Sequence, residues 1–317
     1  MAQKAPGKAH RKGLTFFDIA DMFHDEADAK AWIAQQRWPN GPECPYCGTM
    51  NVQSNIKHKT MDYRCRECPN RKMFSVRTGT VFEGSNLKYR PWAVAISLFT
   101  TDIKGISSMK LHRALGIGQK AAWFMLHRLR KVFEAQTSPF AGAVEVDETY
   151  IGGLDKNKHA SKKTQHGNSY GVKQPVVGIK SRTTKKVTAE VMPTVSAKTL
   201  QRFVTSHTEP KTQVYSDGNR GYRGLRKRGY PLEQVNHSVG EYVRDMAHTN
   251  GIESFWAMLK RGYHGTYHKM SRKHLQRYVN EFAGRHNIRD ADTIDQMTMI
   301  VQGAVGKRLR YRELVQS

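Results

Sequence analysis

Two C-x-x-C pairs constrain this chain more than any other feature. Cys44 with Cys47 and Cys65 with Cys68 are the only cysteines in the sequence, and 17 residues separate the pairs. Two knuckles at that spacing place four thiolates tetrahedrally around one Zn2+. All four cysteines lie in one short segment, so a disulfide framework for the whole chain is excluded. A closed four-thiolate site has no open coordination position, which makes it structural rather than catalytic. The surrounding segment, 38–86, is poor in apolar runs and rich in Cys, Pro, Gly and Arg, as expected of a small domain stapled by metal. Arg64, Arg66, Arg71 and Lys72 flank the cysteines, either to reach phosphates or as a solvated face.

A chain of 317 residues is long enough for two or three units, each with its own core. Lys and Arg number 52 against 27 Asp and Glu, a formal charge of +25. Such an excess repels itself in a compact protein unless a polyanion neutralises it, which points to nucleic acid as partner but to no particular chemistry. The basic amino terminus lacks the apolar run of a secretory signal, and no stretch is apolar enough to span a bilayer, so the chain is expected to be cytoplasmic with no membrane partner.

Along the chain, residues 1–37 read as a basic arm followed by one or two short helices. Helical periodicity returns strongly within 87–138, with Pro91 suited to a first turn. Within it, SSMKLHRALGIGQKAAWFMLHRLR (107–130) has the organisation of a helix-turn-helix: a helix ending near Leu115, a turn with Gly116 and Gly118, and a second helix from Gln119. Gln119, Lys120, His127 and Arg128 are its candidate DNA contacts, while Trp123 and Leu126 suit packing. After Ser138-Pro139 the pattern becomes β-like at 143–146, 175–179, 186–192 and 213–216, with a helix at 196–206 and two more at 250–261 and 272–287. Residues 154–174 are polar and lysine-rich, a solvated loop offering Lys156, Lys158, Lys162 and Lys163 to DNA phosphates. Residues 291–317 read as a C-terminal tail.

Three carboxylates carry the chemistry. Asp147 follows one β-like run, Asp217 follows another, and Glu253 lies early in the helix that begins near Asn250. Two strand-end aspartates and a helical glutamate can converge on two hard divalent cations, leaving room for water and phosphate, the arrangement for in-line phosphoryl transfer. Lys260, seven positions after Glu253, shares its helix face and is placed to touch a DNA backbone. Asn250 shares that face too, as helix N-cap, metal ligand or both. Glu148, beside Asp147, is expected to point elsewhere, as a surface residue or a support for the site.

The segments VEVDETYIGG (144–153), VYSDGNRGY (214–222) and HTNGIESFWAMLKRGYHGTYH (248–268) resemble the transposases of the IS1595 family, with their ISXO2-like catalytic domain. The CPYC/CREC ribbon and the segment 111–130 are similar to that family's amino-terminal zinc ribbon and helix-turn-helix. The resemblance runs from about residue 20 to 290. It implies an α/β chain in which a zinc ribbon and a helix-turn-helix precede an RNase H-like catalytic domain, a mixed sheet with flanking helices, at 139–290. It further implies an acidic metal-binding triad of Asp147, Asp217 and Glu253, with Lys260 as the basic residue after the third acid. Two Mg2+ or Mn2+ per active site and one structural Zn2+ would be the cofactors.

The activity so implied is that of a DNA transposase: binding the terminal inverted repeats of an insertion sequence, cutting strands, and joining them to target DNA. Double-stranded DNA is then the partner, bacterial cytoplasm the location, and a homo-oligomer the active form, because two element ends must meet. Two other readings share the basic and zinc-binding features: a transposase-derived DNA-binding regulator, and an RNase H-like nuclease that cuts without joining.

Overall fold

The computed structural model of the protein describes residues 12–134, 138–153, 159, 173–235 and 248–316. They form two compact units, one from residues up to Phe133 together with Ile288–Ser317, the other from Glu134–Asn287.

The first unit opens with α1 (Phe16–Met22) and α2 (Glu26–Arg37). Thr15 and Asp18 form a reciprocal capping box on α1, and Asp25 accepts from the Asp28 amide to cap α2, each satisfying amides that a helix start leaves unpaired. A three-stranded antiparallel sheet follows, β1 (Val52–Gln53), β2 (Tyr63–Cys65) and β3 (Met73–Phe74). Trp38, Tyr63 and Phe74 pack beneath it, Trp38 edge-on to Tyr63 at 5.2 Å between ring centroids.

Three helices come next: α3 (Tyr89–Thr101), α4 (Ser108–Leu115) and α5 (Gln119–Val132). Ser107 caps α4, and Gly116, at φ 62°, ends it in the left-handed conformation that glycine adopts without penalty. The pieces 1–37, 38–86 and 87–138 do not keep separate cores. One buried cluster runs from Ile19 through Cys44, Cys65, Phe74, Trp92 and Leu126 to Ile300 and Ala304. The supposed tail is part of it: residues 293–303 form α9 (Thr293–Gly303), which buries Met297, Ile300 and Val301, and α10 (Tyr311–Gln316) follows. Pieces this short cannot each bury enough apolar surface to be stable alone, and sharing a core resolves that.

The second unit is built on a five-stranded sheet of β4 (Val144–Ile151), β5 (Gln174–Ser181), β6 (Val187–Val191), β7 (Val214–Asp217) and β8 (Leu232–Val235). Its spatial order is β6-β5-β4-β7-β8. β5 runs antiparallel to β4 and β6, while β7 is parallel to β4 and β8. Helices cover both faces. On one side α6 (Ala197–His207) and a 3-10 helix (Arg220–Arg228) pack Leu200, Phe203, Tyr222 and Leu225 against Val144, Val146, Val177 and Ile179. On the other, α7 (Asn250–Gly262) and α8 (Leu275–Ile288) pack Ile252, Phe255, Trp256 and Val279 against Ile151, Val176 and Ala189. The alternation along β4 thus assigns Glu145 and Asp147 to the α7 side. No helix among the described residues is long and apolar enough to cross a membrane.

Candidate active site and metal centre

The acidic site forms where β4 and β7 run side by side. They pair in parallel, Glu145 with Tyr215 and Val146 with Ser216. Continuing that register by one residue sets Asp217 beside Asp147, on the same face because both registers alternate together. Asp147 therefore lies inside a strand that continues to Ile151 rather than following one, and Asp217 is the last residue of β7. Burial, and next to it the charge of Asp217, raise the Asp147 carboxyl from 3.8 to about 7; Glu148 and Glu253 add to the rise. A carboxylate held this way favours a compensating cation.

Glu148 is nearer than the sequence suggests. Alternation starts its side chain on the α6 side of β4, yet carboxylate oxygens of Asp147, Glu148 and Asp217 lie within 4.8 Å of one another. Two donors hold it there: Tyr222 Oη at 2.7 Å and the Asn219 side-chain amide. Burial is the main cause that pushes Glu148 upward. The Asn219 backbone amide also donates to Asp217 Oδ1 at 3.1 Å, so one turn fixes both acids.

Glu253 stands exposed in the first turn of α7, where Thr249 Oγ1 donates to its Oε1 at 2.7 Å. It is not part of the 4.8 Å group, although its charge reaches Asp147. Thr249 occupies the N-cap position and Asn250 is the first helical residue, which removes the N-cap reading of Asn250. Asn250 and Lys260 are both exposed on the same helix.

The start of α7 is clamped to the sheet by residues that sequence reasoning passed over. Glu145, buried at 3 % exposure, accepts from the Ile252 amide at 3.0 Å and from Arg182 Nε at 3.1 Å. Arg182 also donates to the His248 carbonyl at 2.6 Å, and Lys180 Nζ to the Gly251 carbonyl at 2.9 Å. A Cβ on Gly251 would stand 2.6 Å from Glu145 Oε2, so a larger residue there must push that carboxylate aside. The alternation of Glu145 with two buried valines was the available signal, since a charge in a buried strand needs a partner.

In the first unit the four cysteine sulfurs all lie within 4.8 Å of one another. Cys44 and Cys68 are 3.7 Å apart, Cys47 and Cys65 3.6 Å. Tetrahedral ligands about 2.3 Å from zinc are separated by about 3.8 Å, so the donor set fits Zn2+.

The helix-turn-helix candidates divide. Gln119 and Lys120 are exposed at the start of α5, Gln119 donating to Ser108 Oγ at 3.0 Å and Lys120 lying over the Tyr311 ring at 4.7 Å. His127 and Arg128 are buried, at 0 % and 4 % exposure, which corrects their reading as DNA contacts. His127 meets Trp123 edge-on at 4.5 Å, and the Arg128 guanidinium lies 4.2 Å from the Phe124 ring. The two candidates fall on the buried side because α5 presents nearly all of its second half to the core. Lys156, Lys158, Lys162 and Lys163 lie outside the described residues.

A family model described as the ISXO2-like transposase domain matches residues 139–287, and one described as the transposase zinc-ribbon domain matches 24–71. Both models are of IS1595-family transposase domains, and they match the second unit and the cysteine-bearing part of the first. A relative from Halobacterium salinarum, described as an uncharacterized protein in transposable element ISH50, is 27% identical over 278 residues, 84% of this chain and 92% of the relative. The zinc-ribbon match begins inside α1–α2 territory, at residue 24, and takes in all four cysteines, in line with the shared core of the first unit. The transposase-domain match covers the five-stranded sheet, α7 and nearly all of α8.

Proposed function

We propose that this protein is a DDE-type transposase of the IS1595 family that binds the terminal inverted repeats of its element and carries out metal-dependent strand cleavage and strand transfer. The observation that carries the reading is the convergence of Asp147 and Asp217 from adjacent parallel strands, with carboxylate oxygens within 4.8 Å and Asp147 raised to about 7. The strand order, with an antiparallel second strand and helices on both faces, supports an RNase H-like identity for the second unit.

Asp147 and Asp217 would hold two Mg2+ or Mn2+ ions, with Glu253 completing the site from α7 and Asn250 as the alternative ligand. Bound there, such ions would activate a water or a DNA 3′-hydroxyl as nucleophile and stabilise the leaving oxygen. The protein's own part is positional. The Asn219 turn fixes Asp217, Trp256 fixes Asp147, and the Glu145 clamp sets the start of the helix that bears Glu253. Lys260 would contact the DNA backbone near the reacting phosphate. The α4–α5 pair, acting as a helix-turn-helix, would engage element ends through Gln119 and Lys120, and a homo-oligomer would bring two ends together in the DNA-associated cytoplasm.

A strand-transfer assay with an oligonucleotide end and Mg2+ or Mn2+ tests this. Asp147→Asn and Asp217→Asn should each abolish cleavage and leave DNA binding intact; retained cleavage overturns the metal-site assignment. Cleavage without any joined product would instead identify a nuclease. Comparing Glu253→Gln, Asn250→Ala and Glu148→Gln identifies the side chain that completes the site.

A further inference from the structure

The residues immediately after the second catalytic aspartate follow a three-residue period. Residues 220–228 read RGY, RGL, RKR. They form a nine-residue 3-10 helix, Arg220–Arg228. Such helices have three residues per turn and seldom exceed three or four residues, so one of this length calls for a reason. The repeat provides it over the first two turns, where arginine, glycine and a large apolar residue each keep to one face.

Tyr222 and Leu225 fill the core. Gly221 and Gly224 make the face against α6, where a Cβ would stand 2.8 Å from Leu200 and 2.3 Å from Gln201 respectively. The third face is Arg220, Arg223 and Arg226, all exposed, and the exposed Lys227 and Arg228 follow. At a rise of about 2.0 Å per residue, successive arginines on this face are about 6 Å apart. Arg226 also donates to the Leu232 carbonyl at 3.0 Å, which ties down the far end.

The near end is rooted in the acidic site. Asn219 caps the helix by accepting from the Gly221 amide at 2.8 Å, and the same residue donates to Asp217 and to Glu148. Tyr222, in the first turn, donates to Glu148 at 2.7 Å. The ridge of cations is thereby fixed relative to the carboxylates by hydrogen bonds from its N-cap residue and its first turn. Guanidinium groups in a fixed row suit phosphate oxygens, which they bind as two-pronged donors.

We propose that Arg220 and Arg223, with Arg226 beyond them, form a phosphate rail that holds the backbone of duplex DNA beside the Asp147–Asp217 site. The proposal rests on the transposase reading for what the DNA is doing there, but its binding test stands apart from cleavage. Full-length protein is titrated against a short labelled DNA duplex over a series of KCl concentrations, and cleavage is followed in parallel with Mg2+. The Arg220→Gln/Arg223→Gln double variant should weaken binding at low salt about tenfold or more and reduce the slope of log Kd against log [KCl] by about two.

Arg220→Lys/Arg223→Lys, which keeps the charge, should recover most of the slope, and Lys186→Gln, at the exposed turn between β5 and β6, should keep the wild-type slope. Wild-type slope and affinity in the double Gln variant, at an unchanged melting temperature, overturn the rail. So does failure of the Lys pair to recover the slope, or an equal loss from Lys186→Gln. Wild-type protein that binds with the expected slope changes but never cuts supports the rail and sinks the proposed catalysis; cutting with no slope change sinks the rail alone.

Discussion

Trp256 donates its indole Nε1–H to Asp147 Oδ2 at 3.0 Å, and it reaches that oxygen by lying across β5 at Gly178. Gly178 is the residue paired with Asp147 in the antiparallel register. A Cβ there would stand 2.6 Å from the Trp256 ring. A helix residue, a missing side chain and the Asp147 carboxylate are therefore one unit.

Gly178→Ala should displace the indole and destabilise the second unit by about 1–3 kcal/mol, the usual cost of overpacking. Trp256→Phe removes the donor together with part of the buried ring, at a cost of about 1–3 kcal/mol. Both should lower the cleavage rate at saturating DNA, together with the melting temperature. A Trp256→Phe enzyme with wild-type turnover would show that the hydrogen bond does not orient Asp147.

Much of this was legible in the sequence, and the gaps have physical causes. Asp147 and Asp217 stood out because apolar runs precede them, and the four cysteines because of their spacing. α9 was read as tail: Met297, Ile300, Val301 and Ala304 have helical spacing, but local pattern does not say which distant core a helix fills. His127 and Arg128 were misplaced because a polar residue on a helix reads as exposed, whereas here a ring neighbour covers each. Glu148 was set aside by strand alternation, which fixes where a side chain starts and not where a long one ends.

Glu145 and Arg182 form a buried pair, at 5 % and 12 % side-chain exposure. Removing one partner of such a pair leaves a buried charge uncompensated and costs about 3–5 kcal/mol. Glu145→Ala should therefore lower the melting temperature, and Glu145→Gln, which can still accept from the Ile252 amide, should lower it less. Because Glu145 clamps the start of the Glu253 helix, Glu145→Gln is also expected to slow cleavage more than it weakens DNA binding. Equal stability of the Ala variant and wild type would contradict the clamp.

Asp147 gives the metal-free protein a distinctive pH response. Burial and the neighbouring Asp217 charge raise its folded carboxyl to about 7, from an ordinary value of 3.8. Between those values the folded state holds the proton that the unfolded state has released, so stability falls as pH rises through that window and levels off above it. In EDTA, Asp147→Asn should be more stable to unfolding than wild type above pH 7, by up to about a few kcal/mol, with the gap closing near pH 4. Mg2+ added above pH 7 should raise the wild-type melting temperature and not that of the variant. A gap independent of pH would remove the raised carboxyl from the account.

The division of the α5 candidates is open to the same salt titration used for DNA binding. Lys120 is exposed at the helix start, so Lys120→Gln should lower the salt slope by about one if that residue meets a phosphate. Arg128 is buried against Phe124, and burial lowers its ordinary value to about 10. Arg128→Met should then change the melting temperature and leave the slope at the wild-type value. A reduced slope in Arg128→Met, without loss of stability, would return Arg128 to the DNA-contacting face.

The zinc prediction follows from where the cysteines sit. Cys44, Cys65 and Cys68 are buried, and they belong to the cluster that also contains Phe74, Trp92 and Ile300. Metal loss would therefore loosen the shared core of the first unit and not merely a surface knuckle. Purified protein should hold one zinc per chain by elemental analysis, and Cys65→Ser, which removes a fully buried ligand, should lose it. Binding energy at structural zinc sites is folding energy, on the order of 10 kcal/mol in small domains, so chelation should lower the melting temperature of wild type sharply and that of Cys65→Ser little. The second unit has its own sheet and cores, so amide exchange in β4 and β5 should persist after chelation while it accelerates in α3 and α9. Unchanged exchange in α3 and α9 would mean the four thiolates are not a metal staple.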